Sequence, residues 1–83
     1  MLTEIEFHRK MRRAQMMANL RERTDYLYGY VRGLQRLYHG EDFGTEEEHE
    51  EWMQLIDDAD EERQALGWGY RDALVGNDPG IEV

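Results

Sequence analysis

The sequence has no cysteine and no serine, one proline, one lysine and three threonines among its 83 residues. Without cysteine there is neither a disulfide nor a thiolate metal site, so a chain this short must be stabilised by side-chain burial alone. Without serine or cysteine, and with Thr3 and Thr45 placed as helix caps, nucleophilic catalysis has no candidate nucleophile. No run of eighteen apolar residues is present, which excludes a membrane-spanning helix. The N-terminus lacks the cationic start and apolar centre of a secretory signal, so a cytoplasmic location with no membrane association is the expectation. No stretch alternates with period two, so no strand is predicted.

Acidic residues are abundant. The net charge is −9, which argues against direct binding of bare nucleic acid, because phosphate contacts need a cationic surface. The charge is divided unevenly. Residues 1–40 carry eight Arg and Lys against four acids, and residues 41–83 carry two against fifteen, giving +4 and −13. Halves of opposite sign are expected to fold against each other or against a second copy.

The periodicity is helical throughout, so the expected fold class is all-α. Thr3 and Glu6 form a capping-box pattern, in which hydroxyl and carboxylate each satisfy a backbone N–H. After it Phe7, Met11, Ala14, Met17, Leu20, Thr24, Leu27, Val31, Leu34 and Tyr38 recur at steps of mostly three or four. This pattern predicts one long helix over 3–39, roughly 55 Å long, ending at Gly40, with a kink near Tyr28 to Gly33, where two glycines fall, as the other outcome. A turn over 39–44 should lead to a second helix over 45–57, opened by the capping box Thr45/Glu48, and a third segment over 58–75. Residues 1–76 then make a single helical domain, a hairpin or three-helix arrangement, and 77–83 a short flexible tail. A rod this long exceeds what the rest of the chain can cover, so a homodimer, most simply an antiparallel bundle, is expected to cover the surplus.

Two segments share a pattern, Gly29-Tyr30-x-x-Gly33-Leu34 and Gly69-Tyr70-x-x-Ala73-Leu74. Small residues four apart let another backbone approach closely, so two helices should cross at these positions. The pairing, with Gly69-Tyr70-Arg71-Asp72-Ala73 as its second half, resembles the bacterial ribosome modulation factors, which are small helical proteins. Those proteins are strongly basic and bind ribosomal RNA. This chain is acidic, so the resemblance implies helical architecture and not RNA binding.

Several constellations invite a catalytic or metal-binding reading. Glu47-Glu48-x-x-Glu51 resembles half of the magnesium site of the all-helical nucleotide pyrophosphohydrolases, where carboxylates on one helix face hold a hard cation. The second half of that site, Glu-x-x-Asp on a following helix, is missing. Glu46-x-x-His49 is a single pair of the kind that di-iron bundles use twice. Asp58-x-Asp60-x-Glu62 lacks the glycine and the terminal glutamate of a calcium loop and reads better as a helix cap. No catalytic residue, metal or cofactor is therefore expected, and a metal-dependent nucleotide hydrolase with Glu47, Glu48, Glu51 and His49 shared across a dimer is the remaining enzymatic alternative. Arg9, Arg12 and Arg13 share one side of the first helix, and internal or intersubunit ion pairs are their expected use.

The expected function is thus a small acidic, non-catalytic interaction module, an accessory or adaptor that docks on a protein partner. Its interaction surface would draw on the apolar stripe (Met11, Met17, Leu20, Leu27, Val31) and on the acidic face (Glu46, Glu47, Glu50, Glu51, Asp57, Asp58, Asp60, Glu61). The alternative is a nucleic-acid mimic that uses the acidic face to occupy a basic groove, as small anti-defence proteins of phages and plasmids do.

Overall fold

A computed structural model describes residues 2–19 and 24–77 of the chain. Among them are four α-helices, α1 (Glu4–Asn19), α2 (Thr24–His39), α3 (Glu46–Gln54) and α4 (Glu61–Leu74), with 3-10 turns at Gly40–Phe43 and Leu55–Asp57 and no strand. The all-α expectation holds. No helix among the described residues is long and apolar enough to cross a membrane.

The single helix over 3–39 is not what the chain forms. Phe7 stacks on Tyr38 with ring centroids 4.4 Å apart, whereas a straight helix would hold these positions roughly 47 Å apart. Instead α1 returns along α2. Phe7, Met11, Ala14 and Met17 from α1 join Leu27, Val31, Leu34 and Tyr38 from α2 in the same apolar cluster. The physical reason is a comparison of magnitudes. Interrupting a helix leaves up to four N–H and four C=O groups to find other partners, at about 0.5–1.5 kcal/mol for each bond lost. Burying one large apolar side chain gains about 1.5–3 kcal/mol, and several are buried along this seam. The described apolar residues of the stripe, Phe7, Met11, Ala14 and Met17 on α1 and Leu27, Val31, Leu34 and Tyr38 on α2, thereby pack against one another within the chain.

Gly29 and Gly33 do not kink α2, which runs unbroken from Thr24 to His39. Both lie where α4 crosses. A Cβ on Gly33 would stand 2.6 Å from the carbonyl oxygen of Tyr70 and 2.9 Å from the Ala73 side chain. Gly69 of α4 faces the Tyr26 carbonyl of α2 in the same close manner. The helix-propensity cost of about 1 kcal/mol per glycine is offset by two backbones packed at a separation that no larger residue permits. Tyr30 and Tyr70, 0% and 1% exposed, fill the space beside the crossing.

Polar contacts fix the same pair. The Tyr26 hydroxyl donates to the Asp72 carboxylate, and the Tyr30 hydroxyl donates to the carbonyl of Asn77 at 2.7 Å. Lys10 of α1 reaches the Gly76 carbonyl at 3.0 Å, placing a cation at the negative end of α4. Both predicted capping boxes form: Thr3 and Glu6 exchange backbone and side-chain bonds at 3.1 and 3.2 Å, and Thr45 and Glu48 do so at 2.9 and 3.2 Å. Asp60 is the cap of α4, accepting from the Glu62 N–H at 2.9 Å, while Asp58 accepts from the Asp60 N–H at 2.8 Å. The expected helices over 45–57 and 58–75 thus appear as α3 with its 3-10 turn and as α4, separated by capping aspartates.

Candidate interaction surface

The acidic face is built by α3 and the turn after it. Along α3 the residues at intermediate exposure are His49, Trp52 and Met53, and these turn inward. Trp52 stacks on Tyr70 with centroids 5.1 Å apart, and the His49 Nδ1 lies 2.8 Å from the Tyr70 hydroxyl. With that side anchored, helical geometry forces Glu46, Glu47, Glu50 and Glu51 outward, and all four are exposed. Asp57, Asp60 and Glu61 continue the exposed acidic edge, while Asp58 is half-buried. Two ion pairs are made among the described residues, Arg36 to Glu46 at 3.2 Å and Arg63 to Asp58 at 3.1 Å. Most of the edge is therefore uncompensated.

A recess of about 580 Å³ opens along this edge, lined by Glu51, Trp52, Asp57 and Asp58 and also by Arg63, which pairs with Asp58 at 3.1 Å. Beside it Tyr28, 66% exposed, stacks on Trp52 with 6.5 Å between centroids. Glu51 and Asp57, the lining carboxylates that Arg63 leaves unpaired, stand beside the Trp52 indole and suit a further cationic side chain. Tyr28 escaped the sequence reading because it falls outside the apolar stripe of α2. Its flanking aromatics, Tyr26 and Tyr30, are buried.

The apolar half of the expected surface is placed differently. Leu27 is 2% exposed, and Met11, Met17 and Val31 pack partly buried against the core. These four side chains hold α1 to α2, so the stripe serves the fold. Leu20 lies outside the described residues.

The residues of the metal alternative have structural partners of their own. The Glu48 carboxylate accepts the Thr45 N–H at 2.9 Å, and this bond holds its pKa below the ordinary glutamate range. His49 bonds Tyr70, whose phenol is pushed up by burial. No group of three or more His, Asp or Glu side chains converges to hold a metal among the described residues.

The predicted pairing of opposite charges within the chain is not made by the α1 arginines. Arg9, Arg12 and Arg13 are exposed and form no ion pair among the described residues. Helix α1 packs on α2, and α3 packs on α4 and the turn before it and meets α2 through Tyr28–Trp52 and Arg36–Glu46.

No protein-family model, curated protein or solved structure matches this chain.

Proposed function

We propose that this protein is a non-catalytic interaction module that docks through its acidic edge onto a cationic surface of a macromolecular partner. The observation that carries this reading is the uncompensated row Glu47, Glu50 and Glu51, continued by Asp57, Asp60 and Glu61. All six are exposed, and none is in an ion pair among the described residues. Asp60 caps α4, and Glu47 and Glu61 lie in first turns where the helix dipole favours them, but Glu50, Glu51 and Asp57 have no such role, and their repulsion is relieved by an encounter with positive charge. The indole-walled recess gives that encounter a point of register. Arginine fits it better than lysine, because a planar guanidinium stacks on an aromatic ring and takes a carboxylate with two parallel bonds.

A nucleic-acid mimic is the special case in which the cationic surface is a groove made for DNA or RNA. Competition separates it from the general reading, since a mimic displaces an oligonucleotide from its partner and an adaptor leaves it in place.

The test is calorimetric titration with an arginine-rich peptide, comparing the native chain with one carrying Glu47→Gln, Glu50→Gln and Glu51→Gln. Loss of about tenfold or more in affinity, equivalent to roughly 1.4 kcal/mol, is expected for the variant. Equal affinities overturn the proposal.

A further inference from the structure

The outer face of α1 is the second surface that the fold leaves without a use. Ile5 and Met16 are 77% and 62% exposed. They stand about three turns apart and on the same side of the helix, opposite the stripe that packs on α2. Arg9 and Arg12 lie between them and Arg13 beside them, all exposed and without an ion pair among the described residues. Arg9 has Glu6 nearby on its own helix, and that carboxylate is engaged with Thr3. The result is a helix face with an apolar side chain at each end and cations between.

We propose that this face docks on the α3 edge of a second copy of the chain. Charge complementarity is the argument: three arginines on one surface meet Glu47, Glu50 and Glu51 on the other. Within one molecule no ion pair joins the two among the described residues. Tyr28, exposed beside Trp52, offers an apolar side chain that one of Ile5 and Met16 can cover. A phosphate polymer would use the arginines but leave Ile5 and Met16 in water. The net charge of −9 on each copy does not prevent the contact. The screening length of about 8 Å at physiological salt is short beside a body measuring 36 × 32 × 16 Å, so the facing groups decide.

The two surfaces differ, which makes the contact heterologous. One helix face against a nine-residue helix falls well below the roughly 1,600 Å² of a standard stable interface. Association is accordingly weak, concentration-dependent and sensitive to salt. The inference rests on the same acidic edge as the docking reading above, so copies and cationic partners compete for it.

Sedimentation equilibrium tests it with two variants, Arg9→Gln/Arg12→Gln/Arg13→Gln and Glu47→Gln/Glu50→Gln/Glu51→Gln. All six positions are exposed on helices and glutamine is a good helix former, so both variants fold, as circular dichroism verifies. The native chain is expected to rise from 10.0 kDa through twice that mass and beyond as concentration increases, because a head-to-tail contact leaves a free surface at each end, and to associate about tenfold more weakly at 0.5 M than at 0.15 M salt. Each variant alone stays at 10.0 kDa. An equimolar mixture forms a one-to-one pair that grows no further, because one intact surface remains on each variant.

A native chain that stays monomeric at millimolar concentration overturns the inference. So does a mixture that fails to pair while the native chain associates, or a native monomer that binds a single-stranded oligonucleotide through the three arginines. Failure here with arginine-peptide binding intact leaves the docking reading standing, and the reverse result removes that reading alone.

Discussion

Phe7, near the start of α1, and Tyr38, at the end of α2, lie face to face with 4.4 Å between ring centroids and 11° between ring planes. This contact closes the α1–α2 hairpin. It converts an apolar stripe too long for a small chain to cover into two short stripes that cover each other.

Replacing Phe7 by alanine should therefore act as a core truncation. Phe7 is 7% exposed and also meets the His39 ring edge-on at 5.4 Å. Buried phenylalanine to alanine changes cost about 3–5 kcal/mol. Urea denaturation should show a loss near the lower end of that range. A loss below about 1 kcal/mol would mean that α1 is not docked as described.

The glycines of the α2–α4 crossing should not tolerate a methyl group. At Gly29 and Gly69 an added Cβ meets the backbone carbonyls of Leu66 and Tyr26, which cannot rotate away as a side chain would. Alanine normally gains about 1 kcal/mol over glycine inside a helix, so a net loss in melting temperature for Gly29→Ala is a distinctive sign of close approach. Gly40 is the control. It has φ of +71° and open space around it, so Gly40→Ala should cost only the left-handed backbone strain of about 1–2 kcal/mol.

The second capping box makes a prediction about acid. The Glu48 carboxylate is held below its ordinary 4.5, chiefly by the Thr45 backbone N–H and then by the Thr45 hydroxyl. A depressed carboxylate contributes stability above its unfolded pKa, and that contribution disappears as pH falls through the folded value. Glu48→Gln should flatten the stability profile below about pH 4.5, and Thr45→Ala should cost about 1 kcal/mol at neutral pH. An unchanged acid limb in the Gln variant would remove the cap from the account.

Alkaline pH acts through Tyr70. Burial raises its phenol above the ordinary 10.0, outweighing the opposing pull of Arg36 and Arg32. A raised acid contributes stability below its unfolded pKa, and that contribution is lost as pH climbs from about 10 through the folded value. Tyr70→Phe should abolish the part of the alkaline unfolding slope that belongs to this group. It should also release the His49 Nδ1, visible as a shift of its imidazole resonances.

How much of this was legible from residues alone varied with the range of the interactions involved. Caps are local, and Thr3/Glu6 and Thr45/Glu48 were readable because partner and donor lie three positions apart. The crossing at Gly29, Gly33, Gly69 and Ala73 was readable because spacing on a helix fixes a face. The division of the stripe into α1 and α2 was not, since no glycine or proline marks it and Leu20, Thr24 and Leu27 keep the helical rhythm. The available signal was Thr24-Asp25, residues that favour a helix start, with Arg36 and His39 closing the same helix at its negative end. Thr24 was read as part of the stripe, yet it is exposed. Met11, Met17, Leu27 and Val31 pack against the core, and the exposure of the acidic row follows from the inward side of α3.

Backbone amide shift mapping of the isotopically labelled chain, titrated with an arginine-rich peptide, tests the central claim most directly. At a protein concentration below the onset of self-association, the account predicts perturbations confined to residues 46–54 and 57–61 and to the Trp52 indole N–H, with the amides of α1 unmoved. Shifts scattered over the whole surface, or centred on α1, would contradict it.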